Sequence, residues 1–176
     1  MEQKTNDDFM RNILIEEAWK KLSSNFSWSE TLLEKYLNCV DWNSISSNYN
    51  IQWTIPMITK FSKRINWSTF SECNNDTVLL PEVIEAFKHK WDWYELSGNP
   101  NVPFTDELLE KYAELWDWNE IIGIWGNSIY EDKGIKGIDF YDKFQEYIPA
   151  SKLQNSSLWN EMVEQQMNSL IRDIIS

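Results

Sequence analysis

Apolar and polar positions along the chain repeat at an interval far longer than a helical turn or a strand pleat. With Trp42, Trp67, Trp93 and Trp118 placed in one column, successive separations are 25, 26 and 25 residues. An aromatic ring stands six residues before each of them, at Tyr36, Phe61, Phe87 and Tyr112. Apolar pairs form a third column, Leu32-Leu33, Met57-Ile58, Val83-Ile84 and Leu108-Leu109, and Trp28, Trp53, Leu79 and Phe104 form a fourth. Self-similarity at such a period marks an array of supersecondary units rather than one irregular core. Ser23 to Asn25, following Trp19 and Leu22, repeats the end of the unit and predicts a leading half-copy. Beyond Asn127 the pattern decays, and Phe140, Tyr141, Phe144, Ala150 and Leu153 fit a degraded fifth copy behind an insertion that contains Gly134 and Gly137.

Within one copy the pattern predicts two helices. The first, of two to three turns, begins at Ser29, Thr54 or Thr105, whose hydroxyls suit an N-cap; the third copy has Leu80 there, then Pro81. Glu30, Asp106 and Glu107 favour the positive end of that helix. The second helix is short, with Asp41, Asn66, Asp92 and Asp117 as caps directly before the marker Trp. Val40 with Ile45, Ile65 with Phe70, Trp91 with Leu96 and Trp116 with Ile121 read as hydrophobic staples, and Glu95 and Glu120 as the far halves of capping boxes. Ser-x-Asn endings at Ser23, Ser46 and Ser97 suggest a left-handed residue closing each copy.

A unit this small cannot bury its own aromatic rings, so neighbouring copies must share a core. The expected fold is all-α, a short α-solenoid of about four to five 25-residue two-helix repeats with N- and C-terminal capping helices. Residues 1-25 form an N-terminal helix and half-copy, 26-127 the four Trp-marked copies, 128-156 the degenerate copy with its insertion, and 157-176 an amphipathic C-terminal helix. Phe9, Ile13, Ala18, Trp19 and Leu22 mark the N-terminal helix. The recurring tryptophans are expected in the core, since a large aromatic at fixed helical spacing is usually packed.

The run Trp91-Asp92-Trp93-Tyr94-Glu95-Leu96-Ser97-Gly98-Asn99-Pro100-Asn101 resembles the tandem "WDWxxLSxNPN" Trp-rich helical repeats seen in uncharacterised proteins of giant viruses and phages and in some bacterial proteins. The resemblance covers roughly residues 19 to 127. It implies a repeat type and carries no assigned activity or site residues. In the second copy Cys73 reads as a replacement for the terminal Asn, and the fourth copy runs from Ile122 to Asn127 with two extra residues.

Charge shifts attention to the exterior. Sixteen basic residues against 28 acidic give a net charge of -12, which argues against direct nucleic-acid binding and for a protein partner with a basic surface. The polar N-terminus and the lack of a long apolar run predict no membrane segment and a cytoplasmic protein, host cytoplasm if viral or phage-encoded. Cys39 and Cys73, without metal-ligand spacing, read as buried thiols. His89, the single histidine, reads as a solvated helix position beside Lys88 and Lys90. No phosphate loop, nucleophile elbow or metal motif nominates a catalytic residue, and no cofactor or metal site is expected.

The resulting expectation is a non-enzymatic protein-interaction module, in its concrete form a viral or phage inhibitor that occupies a basic surface of a host or defence protein. An aromatic pocket for a small molecule or nucleotide, and a structural homo-oligomer, are the alternatives. Candidate interface residues are Trp125, which falls outside the columns, and the C-terminal stripe Trp159, Met162, Met167, Leu170 and Ile174, with Val163 and Ile171 beside it. That stripe either docks on the last copy or pairs with a second chain as a homodimer.

Overall fold

A computed structural model describes residues 2–124 and 137–175, with side chains from Phe9 onward. Among the described residues all regular structure is helical. The contacts divide the chain into two compact units, Met1–Trp91 and Asp92–Ser176. The first unit contains α1 (Glu2–Asn25), α2 (Glu30–Lys35), α3 (Trp42–Ser46), α4 (Ile55–Phe61), α5 (Trp67–Ser71) and α6 (Pro81–Ala86). The second contains α7 (Trp93–Ser97), α8 (Asp106–Lys111), α9 (Trp118–Gly123), α10 (Gly137–Phe144), α11 (Ala150–Leu153) and α12 (Ser157–Ile175).

The expected caps form. Ser29, Thr54 and Thr105 accept from the amides of Leu32, Met57 and Leu108, whereas Leu80 makes no side-chain cap bond and relies on Pro81 in the first turn. Asp41, Asn66, Asp92 and Asp117 accept from Ser44, Thr69, Glu95 and Glu120. The first helices run six or seven residues, about two turns, the short end of the expected range. The staple residues Val40, Ile45, Ile65, Phe70, Trp91, Leu96, Trp116 and Ile121 are all buried. The capping box at Asp117 does not close: its N–H donates to Ser97 Oγ at 2.8 Å, and Glu120 turns to the Tyr94 hydroxyl instead.

That serine belongs to a column whose role the sequence does not announce. Ser23, Ser46, Ser71 and Ser97 are fully or almost fully buried, and each donates to the carbonyl of the marker Trp four residues earlier, at 2.6–2.7 Å. With its proton so committed, the oxygen is free to accept. Asp41 N–H donates to Ser23, Asn66 N–H to Ser46 and Asp117 N–H to Ser97. In each case the hydroxyl of one copy satisfies the cap amide of the next.

Buried asparagines form a second polar column. Asn48 donates both amide protons backwards, to Ser23 O and Phe26 O, and accepts from Asn50 N–H. Asn75 repeats this with Asn48 O, Ile51 O and Thr77 N–H. Asn75, not the position of Cys73, therefore carries the terminal Asn of its copy, two residues later than alignment by Trp suggests. The loop then reaches Leu79 one residue sooner than the equivalent loop reaches Trp53, which accounts for the 26-residue spacing. The C-cap residues Ser47, Glu72 and Gly98 keep right-handed backbone, with φ of -93°, -92° and -85°. The Oδ1 atoms of Asn48, Asn75 and Asn99 accept from the N–H two residues on, at 2.8, 3.0 and 2.9 Å, the Asx turn that closes each copy.

Each marker Trp lays its ring on the aromatic of the following copy. Trp19 meets Tyr36, Trp42 meets Phe61 and Trp67 meets Phe87 in the first unit, with centroids 5.4–5.5 Å apart. Trp93 meets Tyr112 at 5.1 Å in the second. The indole N–H groups of Trp42, Trp67 and Trp118 donate to the carbonyls five residues before them. Trp42, Trp67 and Trp93 are half-buried and Trp118 is buried, so the rings serve the packing between copies.

α10 and α11 make the same contacts with altered residues. Phe144 receives Trp118 at 5.2 Å, and Lys143 pairs with Asp106 and Glu110 as Lys60 pairs with Glu30 and Glu34. Ala150 occupies the marker position and Pro149 the cap position before it. Here the relay is deleted at both ends. Ile122 stands where the donor copy has its serine, and Pro149 has no N–H to satisfy. Gly137 begins α10 rather than belonging to a loop, and a Cβ there would lie 3.0 Å from Glu161 Cγ, so the glycine permits α12 to pass close.

The two ends depart most from expectation. α1 is longer than the Phe9–Leu22 segment, and Phe9, Met10, Ile13, Leu14, Ile15 and Leu22 on it are exposed. α12 buries Leu158, packs on α9 and α10, and accepts from Ile138 N–H through Gln165 in its third turn. Cys73 is buried as expected, but Cys39 is exposed.

Candidate interaction surface

The four aromatic and aliphatic columns, the serine relay and the asparagine amides are consumed in joining copies. What faces outward differs between the two units. Up to Trp91 the sequence holds twelve acidic and ten basic residues; from Asp92 onward it holds sixteen acidic and six basic. The net charge of the chain is therefore carried almost entirely by the second unit.

Two phenols report that field. Tyr94 is held above its ordinary value first by the charge of Glu120, then by its hydrogen bond to Glu120 and by Glu95 and Asp117. Tyr147 is raised first by Glu146, then by desolvation and by Glu114. Glu107, Glu110, Glu114, Asp142 and Glu146 are all exposed. Lys143 is a cation set among them, raised by its bonds to Asp106 and Glu110.

The candidate residues read from the sequence separate into three groups. Trp125 lies outside the described residues. Trp159 and Met162 are half-buried where α12 leaves the body of the second unit. Met167, Leu170 and Ile174 are exposed at 54%, 56% and 81%, with Val163 and Ile171 alongside. The stripe thus docks at its start and stands free over its remaining length. His89 is exposed, as read from its lysine neighbours. Among the described residues no group of three or more His, Cys, Asp or Glu side chains is disposed to hold a metal ion.

Two surface features escaped the sequence reading. One is the split of charge between the units, which was legible in the order of acidic residues once a boundary was known. The other is the open end of the first unit, an apolar hollow of about 550 Å³ lined by Ala18, Lys21, Leu22, Asn25 and Phe26. By the repeat register Leu22 stands with Ile45, Phe70, Leu96 and Ile121, and Phe26 with Ile51, Val78 and Val102. Those counterparts are 0–2% exposed, whereas Leu22 is 41% and Phe26 43% exposed.

No described helix is long and apolar enough to cross a membrane. Comparison with protein-family models, curated proteins and solved structures gives no match, so the reading of this chain rests on its own residues.

Proposed function

We propose that the copies stack into a short α-solenoid that works as a non-enzymatic protein-interaction module, and that its partner presents a basic surface to the region from Asp92 onward. The observation that carries this reading is the charge split, sixteen acidic against six basic residues in one compact unit. The aromatic rings support it by being engaged with one another. A viral or phage factor that covers a basic surface of a host or defence protein is the concrete form, in keeping with the sequence resemblance.

Retention of a partner from host extract on the immobilised full-length chain tests the proposal. Binding that weakens steeply as salt rises is the expected result, because a Debye length falls from roughly 30 Å at 0.01 M to about 3 Å at 1 M. Retention indifferent to salt contradicts an acidic docking surface.

A further inference from the structure

We propose that Lys63, Arg64, His89 and Lys90 form a basic edge on the first unit, and that this edge docks on the acidic surface of a second copy of the chain. The proposal rests on the reading that the acidic surface receives a basic one. It adds a regulation, since self-association covers the surface that an outside partner needs.

The four residues lie on a turn that every copy repeats. After each first helix an N–H donates to the carbonyl of the inter-copy aromatic: Cys39 to Tyr36, Arg64 to Phe61, Lys90 to Phe87, Leu115 to Tyr112 and Tyr147 to Phe144, at 2.7–3.0 Å. The residue just before each donor is exposed in all five, as Asn38, Lys63, His89, Glu114 and Glu146. Along this edge the turn of one copy reaches the turn of the copy before it. Arg64 donates to Asn38 Oδ1 at 3.4 Å in the first unit, and Glu114 acts on Tyr147 in the second. The same register brings the turn of Lys90 beside that of Lys63.

Equivalent turns therefore carry opposite charge in the two units. Lys60 and Lys88 are engaged by Glu30 and Glu85, whereas among the described residues Lys63, Arg64 and Lys90 form no ion pair. The sequence keeps each half clear of the other sign: no acidic residue falls between Asp41 and Glu72, and no basic one between Lys111 and Lys133. Of the four caps that precede the marker Trp, only Asn66 is uncharged, and it stands two residues after Arg64, where an aspartate would offset the cations.

A long polyanion matches this edge poorly, because the sixteen acidic residues of the second unit repel it along the same chain. A compact acidic surface fits better. The second unit of another copy offers one, with Glu114 and Glu146 exposed on the equivalent turns.

Sedimentation of the full-length chain tests the assignment. At about 100 µM and about 0.05 M salt the mean mass should exceed the 21.0 kDa of one chain, and at about 0.5 M salt it should return to that value. Lys63→Glu with Lys90→Glu, and separately Glu114→Lys with Glu146→Lys, should each weaken association by more than about tenfold, with unchanged helical circular dichroism. An equal mixture of these two variants should associate again, since each supplies the charge the other has lost. Lys35→Glu with Lys152→Glu makes the same change of net charge at exposed sites off the edge and should leave association intact. A wild-type chain that is monomeric at low salt, association that survives either exchange, or a mixture that stays monomeric overturns the proposal. So does a monomeric chain that retains a DNA duplex through Lys63 and Lys90, which would assign the edge to a polyanion. Retention of a host partner is read separately, so a monomeric chain that still holds one through Glu114 and Glu146 overturns the self-docking alone.

Discussion

Ser46 shows how much a single small side chain decides. Its hydroxyl donates to Trp42 O at 2.6 Å and accepts from Asn66 N–H at 3.0 Å inside the packed interior. Ser46→Ala leaves that amide without its acceptor, and the expected cost is about 1–3 kcal/mol, measured by urea denaturation. Ser47→Ala, on an exposed neighbour, should change stability little. Cys73 gives a pH-dependent counterpart. Burial pushes its thiol up to about 12 from an ordinary 9.0. Above pH 9 the unfolded chain loses that proton while the folded chain keeps it, so this contribution to stability falls as pH rises from about 9 toward 12. A thiol reagent at pH 8 should accordingly label the exposed Cys39 and spare Cys73 until the chain is unfolded, as mass spectrometry of labelled peptides would show.

Between neighbouring elements the unit of structure is a matched pair rather than a helix. Asp-Trp caps were legible because an N-cap is a local device, decided by one side chain and the amides just after it. The serine relay was not, since its acceptor function spans 18 to 20 residues and looks in the sequence like an ordinary polar ending. The copy containing Ala150 was legible only as a spacing of aromatics. Its relation to α9 rests on a double change, Ile122 for the serine and Pro149 for the cap. Pro149→Ala restores an N–H facing an isoleucine and should destabilise the chain, while adding Ile122→Ser should recover part of that loss. A double-mutant cycle by thermal unfolding reads the coupling, and strict additivity would show that the two positions are not a pair.

At the scale of the molecule, the apolar pattern accounts for the helices and their order, and it misjudges the ends. Periodicity reports which side of a helix is apolar and says nothing of whether a neighbour is present to cover it. Hence α1 reads as a cap, and α12 as a cap or a pairing helix, while Leu14 and Leu170 stand exposed at 63% and 56%. Composition has the same blindness: a net charge of -12 does not disclose that the excess begins at Asp92. The acidic surface so located is the centre of the functional account, and Glu114 and Glu146, which both act on Tyr147, lie within it. The most direct measurement compares partner retention by the wild-type chain and by a Glu114→Gln, Glu146→Gln variant in host extract at about 0.05 M and about 0.5 M salt. The expected result is a partner held by the wild type at low salt, released at high salt, and held markedly less by the folded variant. Equal retention by both chains at both salt concentrations would contradict it.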